Sequence, residues 1–115
     1  MNIGIIGCGL IGNKRALSID ARDNIVAVSD IDISKAKTLA SKIGCSYFKN
    51  YKDLISDNTI DIIIISTPNF MIKEIALNAL RNKKHVISEK PLGKNSKESK
   101  IIQDCAIKNK RILYT

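Results

Sequence analysis

Short apolar runs rich in isoleucine and valine alternate along this chain with stretches whose apolar residues recur every three or four positions. Runs of the first kind predict strands, and stretches of the second kind predict helices. The predicted strands cover residues 3–6, 25–29, 45–48, 60–65, 85–88 and 111–115. Helices are predicted in the intervals, the first ending at about residue 22 and the last at about residue 109. This alternation predicts a single α/β domain with a doubly wound, six-stranded parallel sheet in the order 3-2-1-4-5-6.

The helical spacing also predicts which side chains face the sheet. In the first helix these are Leu17 and Ala21, one turn apart. Asn69 is expected to cap the fourth helix, and Asn95 with Glu98 resembles a capping box at the start of the fifth. The inward residues of the later helices are expected to be Ala36, Leu39, Ala40 and Ile43, then Ile72, Ile75, Ala76, Ala79 and Leu80, then Ile101, Ile102 and Cys105.

Three glycines follow the first predicted strand at the spacing of a dinucleotide-binding turn. Gly7 permits a tight turn, Gly9 allows a pyrophosphate to approach the backbone, and Gly12 allows the next helix to lie against the sheet. The first amides of that helix lack partners within it and point towards the phosphates. A glycine triplet alone is weak evidence, but its place between a strand and a helix makes the motif much more specific.

Asp30 ends the second predicted strand, 18 residues after Gly12, and suits a hydrogen bond from the adenosine ribose. Asp32 follows, and no Arg or Lys between the two would receive a 2′-phosphate. We therefore expect the cofactor to be NAD rather than NADP. The alternative for Asp30 is a simple helix N-cap, a role that Asp32 fills more naturally.

Length and composition limit the remaining possibilities. The chain has 115 residues, enough for one domain with its own core. Its longest apolar run, residues 60–65, is far shorter than the ~20 residues of a membrane span. The first residues do not resemble a signal peptide. Cys8, Cys45 and Cys105 lack metal-ligand spacing, so we expect no metal, and we interpret them as reduced thiols in a cytoplasmic protein.

The net charge of +8 is concentrated in residues 81–111, which hold ten Lys or Arg and three acidic residues. No aromatic residue lies among them, so the sequence offers no platform for stacking bases. A solvated helix face, or a surface that meets an acidic partner domain, is favoured over a nucleic-acid interface.

Two further side chains have both a structural and a functional interpretation. Cys8 lies within the glycine turn, where a small filler is favoured over a redox-sensing thiol. His85, the only histidine, opens the fifth strand at the edge of the sheet opposite the expected cofactor edge. A structural role for His85 is therefore favoured over a catalytic one.

Two tripeptides stand where the fourth and fifth predicted strands end, at the edge where open α/β sheets bind ligands. They are Thr67-Pro68-Asn69, preceded by Ser66, and Glu89-Lys90-Pro91. Together with the glycine turn, they resemble the N-terminal domain of the Gfo/Idh/MocA oxidoreductase family over essentially the whole chain. The resemblance implies a Rossmann-type fold and an NAD(P)-dependent dehydrogenase of sugars, inositols or related compounds.

The resemblance also implies a role for each matching residue. Lys90 would lie beside the transferred hydride and the substrate hydroxyl, where an ammonium stabilises the developing oxyanion. The alternative for Lys90 is a surface lysine before a turn proline. Glu89 would contact the nicotinamide ribose. The other residues that would bind the cofactor are Gly7, Gly9, Leu10, Ile11 and Gly12 at the pyrophosphate, Asp30 and Ile31 at the adenosine ribose, and Ser66, Thr67, Pro68, Asn69 and Pro91 towards the nicotinamide.

The sequence departs from the family pattern in two ways. The position that often carries a histidine three residues after Asn69 holds Ile72, which is expected in the core. Nothing corresponds to the family's C-terminal domain, which supplies most substrate contacts, so we expect this piece to bind NAD and to be inactive alone. An oligomer is possible. A non-catalytic NAD-sensing or assembly module remains an alternative, and an S-adenosylmethionine site is a weaker one because it gives Glu89, Lys90 and Pro91 no role.

Overall fold

The computed structural model describes residues 1–19, 23–89 and 92–115, and within them strands and helices alternate. The strands are β1 (Asn2–Ile6), β2 (Asn24–Ser29), β3 (Ser46–Phe48), β4 (Ile62–Ile65), β5 (His85–Ser88) and β6 (Leu113–Tyr114). The helices are α1 (Leu10–Leu17), α2 (Ile33–Ile43), α3 (Tyr51–Ile55), α4 (Asn69–Arg81) and α5 (Ser96–Lys108).

The six strands form one parallel sheet in the order β3-β2-β1-β4-β5-β6. The predicted order is confirmed. β1 lies in the centre, between β2 and β4, so the chain winds outwards in both directions from it. The carboxyl ends of all the strands therefore meet at one edge, and the loops that follow β1, β2 and β4 are neighbours there.

Two hydrophobic clusters cover opposite faces of the sheet because successive side chains of a strand point to opposite sides. Ile5 of β1 packs with Ala16 of α1 and with α2, whereas Ile6 packs with α3, α4 and α5. The predicted apolar stripe of α4 is confirmed, since all five of its residues are fully buried: Ile72, Ile75, Ala76, Ala79 and Leu80.

Several predicted details are wrong at helix ends and faces. α1 ends at Leu17, whose side chain is 86% exposed rather than inward. Ala21, its predicted partner, lies outside the described residues. Asn69 is the first residue of α4, and Pro68 occupies the cap position instead. Ile101 is also exposed, while Ile102 is buried as predicted. α1 ends about five residues before its predicted end, whereas the cap of α4 shifts by one residue, and neighbouring elements decide such details.

The predicted caps of the other long helices agree with the structure. The Asp32 carboxylate accepts a hydrogen bond from the Ser34 N–H at the start of α2. Asn95 caps α5 by accepting from the Glu98 N–H. Glu98 does not complete the usual box, because its carboxylate accepts from the Lys94 N–H. No helix among the described residues is long and apolar enough to cross a membrane.

Candidate functional site

The glycine turn between β1 and α1 requires glycine at two of its three positions, at one because of its backbone conformation and at the other because of a close contact. Gly7 has a φ of +103°, and a Cβ there would lie 2.6 Å from the carbonyl oxygen of Ser66. A Cβ at Gly12 would overlap the carbonyl oxygen of Gly7. These contacts bring the start of α1 against β1 and the end of β4, as the sequence predicts for a dinucleotide-binding turn.

Gly9 differs from the other two, because a Cβ at this position would meet no atom within 4 Å. Gly9 occupies the N-cap position of α1 and has no side chain that could accept from the first helix amides. The Asn13 side-chain amide donates to the carbonyl oxygens of Cys8 and Gly9, both at 2.9 Å, and these two hydrogen bonds stabilise the turn. The structure thus has open space beside Gly9, next to helix amides that lack intrahelical acceptors.

The Asp30 carboxylate connects β2 to this turn. Its Oδ2 accepts from the Cys8 N–H at 2.8 Å, and its Oδ1 accepts from the Asp32 N–H at 2.9 Å. Because Asp32 caps α2, Asp30 is not needed as a helix cap. Each carboxylate oxygen keeps capacity for a second hydrogen bond, so Asp30 can hold the loop and still receive a hydroxyl.

A cavity of about 370 Å³ opens at this edge of the sheet, between the loops that follow β1, β2 and β4. It brings together seven of the residues predicted at the cofactor site: Gly7, Gly9, Asp30, Ile31, Ser66, Thr67 and Pro68. The other residues around the cavity were not predicted as site residues, and they are Ile6, Ser29, Lys35, Lys49, Tyr51, Phe70 and Met71.

Three buried hydroxyl groups around this cavity indicate whether a polar ligand fits. Within the described part of the chain, the hydroxyls of Ser29, Ser66 and Thr67 have no hydrogen-bond partner. Buried polar groups are nearly always paired, so such a concentration of unpaired hydroxyls fits a ligand rich in hydroxyl and phosphate oxygens. A dinucleotide is such a ligand.

The cavity contains two positively charged side chains that the sequence did not predict there. Lys35 in the first turn of α2 and Lys49 after β3 line the same space as Asp30 and Ile31. Neither cation lies between Asp30 and Asp32, the interval from which the sequence predicted NAD, so the sequence prediction did not include them. The rule that ligands lie outside the carboxyl ends of strands would have indicated Lys49, since it directly follows β3.

Tyr51 and Glu74 form a polar contact at the apolar side of the cavity. The Tyr51 hydroxyl donates to Oε1 of Glu74 at 2.8 Å. Burial, followed by this contact with Glu74, raises the pKa of Tyr51 to about 12. Tyr51 therefore stays neutral at physiological pH and presents an aromatic wall beside Ile31 and Met71.

The structure does not bring all the predicted residues to this cavity. Leu10 and Ile11 are exposed on the outside of the turn, and Gly12 lies beneath it. Glu89 lines a second cavity of about 500 Å³ on the α1 side of the sheet. Lys90 and Pro91 lie outside the described residues. Asn69 starts α4, directly after the cavity residue Pro68.

The surroundings of Cys8 and His85 agree with the structural roles that the sequence favours for them. The buried Cys8 thiol donates to the carbonyl oxygen of Ser29 at 3.2 Å. Burial, with smaller effects of Asp30 and Cys45, raises its pKa to about 12, so the reactive thiolate is scarce. His85 Nδ1 accepts from the Ile112 N–H at the opposite edge of the sheet. The described residues contain no group of three His, Cys, Asp or Glu side chains that could hold a metal ion.

Comparison with known proteins identifies the family. The model of the Gfo/Idh/MocA oxidoreductase family, described as an NAD-binding Rossmann fold, matches residues 1–115. The chain belongs to this family. Its fold is that of an NAD(P)-binding Rossmann domain. The resemblance inferred from the tripeptides and the glycine turn is thereby confirmed.

Individual relatives match only part of their own length. Over 106 residues the chain is 37% identical to glucose-6-phosphate 3-dehydrogenase of Bacillus subtilis (strain 168), covering 90% of this chain and 30% of that protein. Over 92 residues it is 32% identical to 2,7-anhydro-N-acetylneuraminate hydratase of Escherichia coli (strain K12), covering 80% of this chain and 25% of that protein. The chain thus spans about a third or less of these two curated relatives.

A solved structure gives the same result for the fold. Biliverdin reductase from Synechocystis sp. PCC 6803, in complex with biliverdin and NADP⁺, superposes with a TM-score of 0.92. It is 29% identical, and the match covers 98% of this chain and 36% of that one. Relatives of this domain therefore include proteins named for different reactions, a dehydrogenase, a hydratase and a reductase.

Proposed function

We propose that this chain is the cofactor-binding part of an NAD(P)-dependent oxidoreductase and that it binds NAD in the carboxyl-edge cavity. The observation that carries the proposal is the meeting of the glycine turn, Asp30 and Thr67 around one space. A turn for phosphate, a carboxylate for a ribose diol and unpaired hydroxyls are the groups that a dinucleotide needs.

The proposed contacts follow the cavity from one end to the other. The adenosine ribose would donate a hydrogen bond to Asp30, beside Ile31. The pyrophosphate would accept hydrogen bonds from the backbone N–H groups of residues 9–12. Tyr51 and Met71 offer an apolar wall for the adenine. Ser66, Thr67, Pro68 and Asn69 would line the path towards the nicotinamide.

The proposed reaction is hydride transfer involving a hydroxyl carbon of a sugar, an inositol or a related compound. When bound, the nicotinamide supplies the hydride acceptor or donor. Lys90 would stabilise the developing substrate oxyanion, and Glu89 would bind the nicotinamide ribose. The substrate class rests on the family and on relatives such as glucose-6-phosphate 3-dehydrogenase. We further propose that these 115 residues alone do not turn over a substrate, because relatives use a chain about three times as long.

NADP is the second candidate cofactor, and Lys35 and Lys49 favour it. Both line the cavity with Asp30, and two ammonium groups could neutralise a 2′-phosphate. NAD remains the first candidate because the Asp30 carboxylate would repel that phosphate. Lys35→Met and Lys49→Met are expected to weaken NADP binding more than NAD binding.

Calorimetric titration with NAD and NADP tests the cofactor proposal. Asp30→Asn is the informative variant, because its side-chain oxygen can still accept from the Cys8 N–H while the charge and one acceptor are lost. We expect NAD binding to weaken at least about tenfold, the scale of a lost hydrogen bond to a charged group. Asp32→Asn is the matched control, since asparagine also caps helices well and the same charge is removed two residues away.

The outcomes separate the alternatives. If the folded wild-type chain binds neither nucleotide, the cofactor proposal is wrong for this chain alone. If NAD binds but absorbance at 340 nm stays constant with glucose 6-phosphate or myo-inositol, the proposed inactivity of the chain alone is supported. A non-catalytic NAD-binding module would give the same result, and it would be distinguished by equal NAD affinity and no turnover in the whole protein that the gene encodes.

A further inference from the structure

The end of β5 is joined to α1 by one ion pair between residues 74 positions apart in the sequence. Nε of Arg15 donates to Oε1 of Glu89 at 2.6 Å, and the terminal nitrogen Nη2 lies 2.6 Å from the same oxygen. Two nitrogens of a planar guanidinium therefore converge on one carboxylate oxygen. Such a contact fixes direction better than a lysine would, because the donors of a guanidinium have a rigid arrangement.

The two elements that this pair connects carry different parts of the proposed site. α1 begins at the glycine turn, and Arg15 lies in its last turn. Glu89 directly follows Ser88, the last residue of β5, and precedes Lys90. The Arg15 side chain thus links the pyrophosphate turn to the segment proposed to face the nicotinamide.

The pair also forms one wall of the second cavity, which has a volume of about 500 Å³. Ser88 and Tyr114 line the same space, and Ile64 and Ile87 provide its apolar surface. Both contacts from Arg15 use Oε1 of Glu89, so the guanidinium does not take up the second carboxylate oxygen. That oxygen can accept a hydrogen bond from a ligand hydroxyl.

We propose that Arg15 is a positioning residue that orients the Glu89 carboxylate towards the ribose on the nicotinamide side of the dinucleotide. This inference rests on the proposed NAD site. Arg15 acts through Glu89 and makes no contact with the reacting atoms. Its side chain is 47% exposed and that of Glu89 is 31% exposed. Partly exposed ion pairs contribute little to folding, so removal of Arg15 should leave stability almost unchanged.

A series of truncated ligands separates this role from a general electrostatic one. ADP contains the adenosine and the pyrophosphate, ADP-ribose adds the second ribose, and NAD adds the nicotinamide. Calorimetric titration of wild type and Arg15→Met with all three should give unchanged ADP binding, within about twofold. ADP-ribose and NAD should each bind roughly tenfold more weakly to the variant, the scale of one lost hydrogen bond to a charged group.

Three further variants control the interpretation. Lys14→Met removes the same charge from the neighbouring exposed position of α1 and should leave all three affinities unchanged. Arg15→Lys should restore only part of the loss, because an ammonium cannot supply two fixed donors. Glu89→Gln should reproduce the loss for ADP-ribose and NAD, and adding Arg15→Met to it should cause little further change.

The outcomes distinguish failure of the positioning role of Arg15 from failure of the NAD site. Equal weakening of all three ligands in Arg15→Met, or none, would overturn the positioning role while leaving the NAD site in place. A further tenfold loss in the double variant would also overturn it, because Arg15 would then act independently of Glu89. Failure of folded wild type to bind even ADP would contradict the proposed function itself, and the inference with it.

Discussion

The two edges of the sheet differ in which polar groups they leave without a partner: three hydroxyls at the carboxyl edge and Arg111 Nε at the amino edge, among the described residues. At the amino edge, Lys84 Nζ is buried and donates to the carbonyl oxygens of Asp57 and Ile60, both at 2.7 Å. Asn2 bonds to Thr59 and Asp61, and His85 accepts from Ile112. At the carboxyl edge, the buried hydroxyls of three cavity residues have no partner within the described chain: Ser29, Ser66 and Thr67.

The contrast teaches which edge the protein completes by itself. A buried polar group without a partner costs free energy, so a fold keeps such groups where a ligand can pair them. The amino edge pairs Lys84, Asn2 and His85 within the chain, which gives them structural roles, and it leaves Arg111 Nε without a partner among the described residues. Substitutions at that edge should therefore change stability, whereas those at the cavity should change binding.

Gly12→Ala should have the largest effect on stability and would break the carboxyl edge itself. A Cβ at this position overlaps the Gly7 carbonyl oxygen, so α1 must move away from β1. We expect the free energy of unfolding to fall by about 3 kcal/mol or more, measured by chemical denaturation.

Gly9→Ala is the matched variant of the same turn. The φ of Gly9 is an ordinary −78°, and a Cβ there has open space, so stability should change by less than about 1 kcal/mol. NAD binding should nevertheless weaken strongly, because the methyl group occupies the space of the pyrophosphate. Equal destabilisation by both alanines would contradict the separate roles of the two glycines.

Lys84→Met should destabilise the amino edge without affecting the ligand. The variant leaves the two carbonyl oxygens of Asp57 and Ile60 without their donor, a loss of about 1–3 kcal/mol. Affinity for NAD should stay within twofold of wild type. Lys100→Met, at an exposed position of α5, serves as the control and should change stability by less than about 0.5 kcal/mol. A large loss of NAD affinity in Lys84→Met would show that the two edges are coupled.

Cys8 should make a smaller, pH-dependent contribution to the stability of the carboxyl edge. Burial raises its pKa from 9.0 to about 12, so between these values the unfolded chain loses the thiol proton first. The unfolded state then binds fewer protons, and stability falls as pH rises through this window. Denaturation of wild type and Cys8→Ser at pH 8, 9 and 10 should show a difference in stability that changes in this direction. A constant difference would indicate a thiol of ordinary acidity.

Thr67→Val should have the smallest effect on folding, and it compares the two edges of the sheet most directly. Its hydroxyl has no partner among the described residues, so stability should stay within about 0.5 kcal/mol or rise, while NAD binds several-fold more weakly. Thr59→Val at the amino edge should behave in the reverse way. The Thr59 hydroxyl donates to Oδ1 of Asp57 at 2.7 Å, so its loss should lower stability and leave NAD binding unchanged.

The sequence predicted the sheet well because strand order follows from alternation and connection rules that depend little on single residues. Helix ends were less predictable. The apolar spacing of Leu17 suggested an inner face, but α1 stops there, and the side chain points into solvent. Likewise, Asn69 has the chemistry of a cap but begins the helix one residue early.

Prediction of the candidate site was limited by contacts between distant residues. The strand ends indicated Asp30 and Thr67 because parallel strands present their carboxyl ends at one edge. Lys35 enters the cavity through the direction of α2, which no local pattern records. The contact of Arg15 with Glu89 depends on the position of α1 relative to β5, so a sequence search by spacing could not find it.

The central position of β1 also has a consequence for how the protein is made. The turn that begins at Gly7 is bounded by the backbone of Ser66 and Thr67, and β1 pairs with β4 as well as β2. During synthesis, β1 therefore waits until translation has passed Ile65, the end of β4, before its second neighbour leaves the ribosome. A ribosome-bound nascent chain that lacks β4 should expose β1 to chaperones and bind no nucleotide, although its glycine motif is complete.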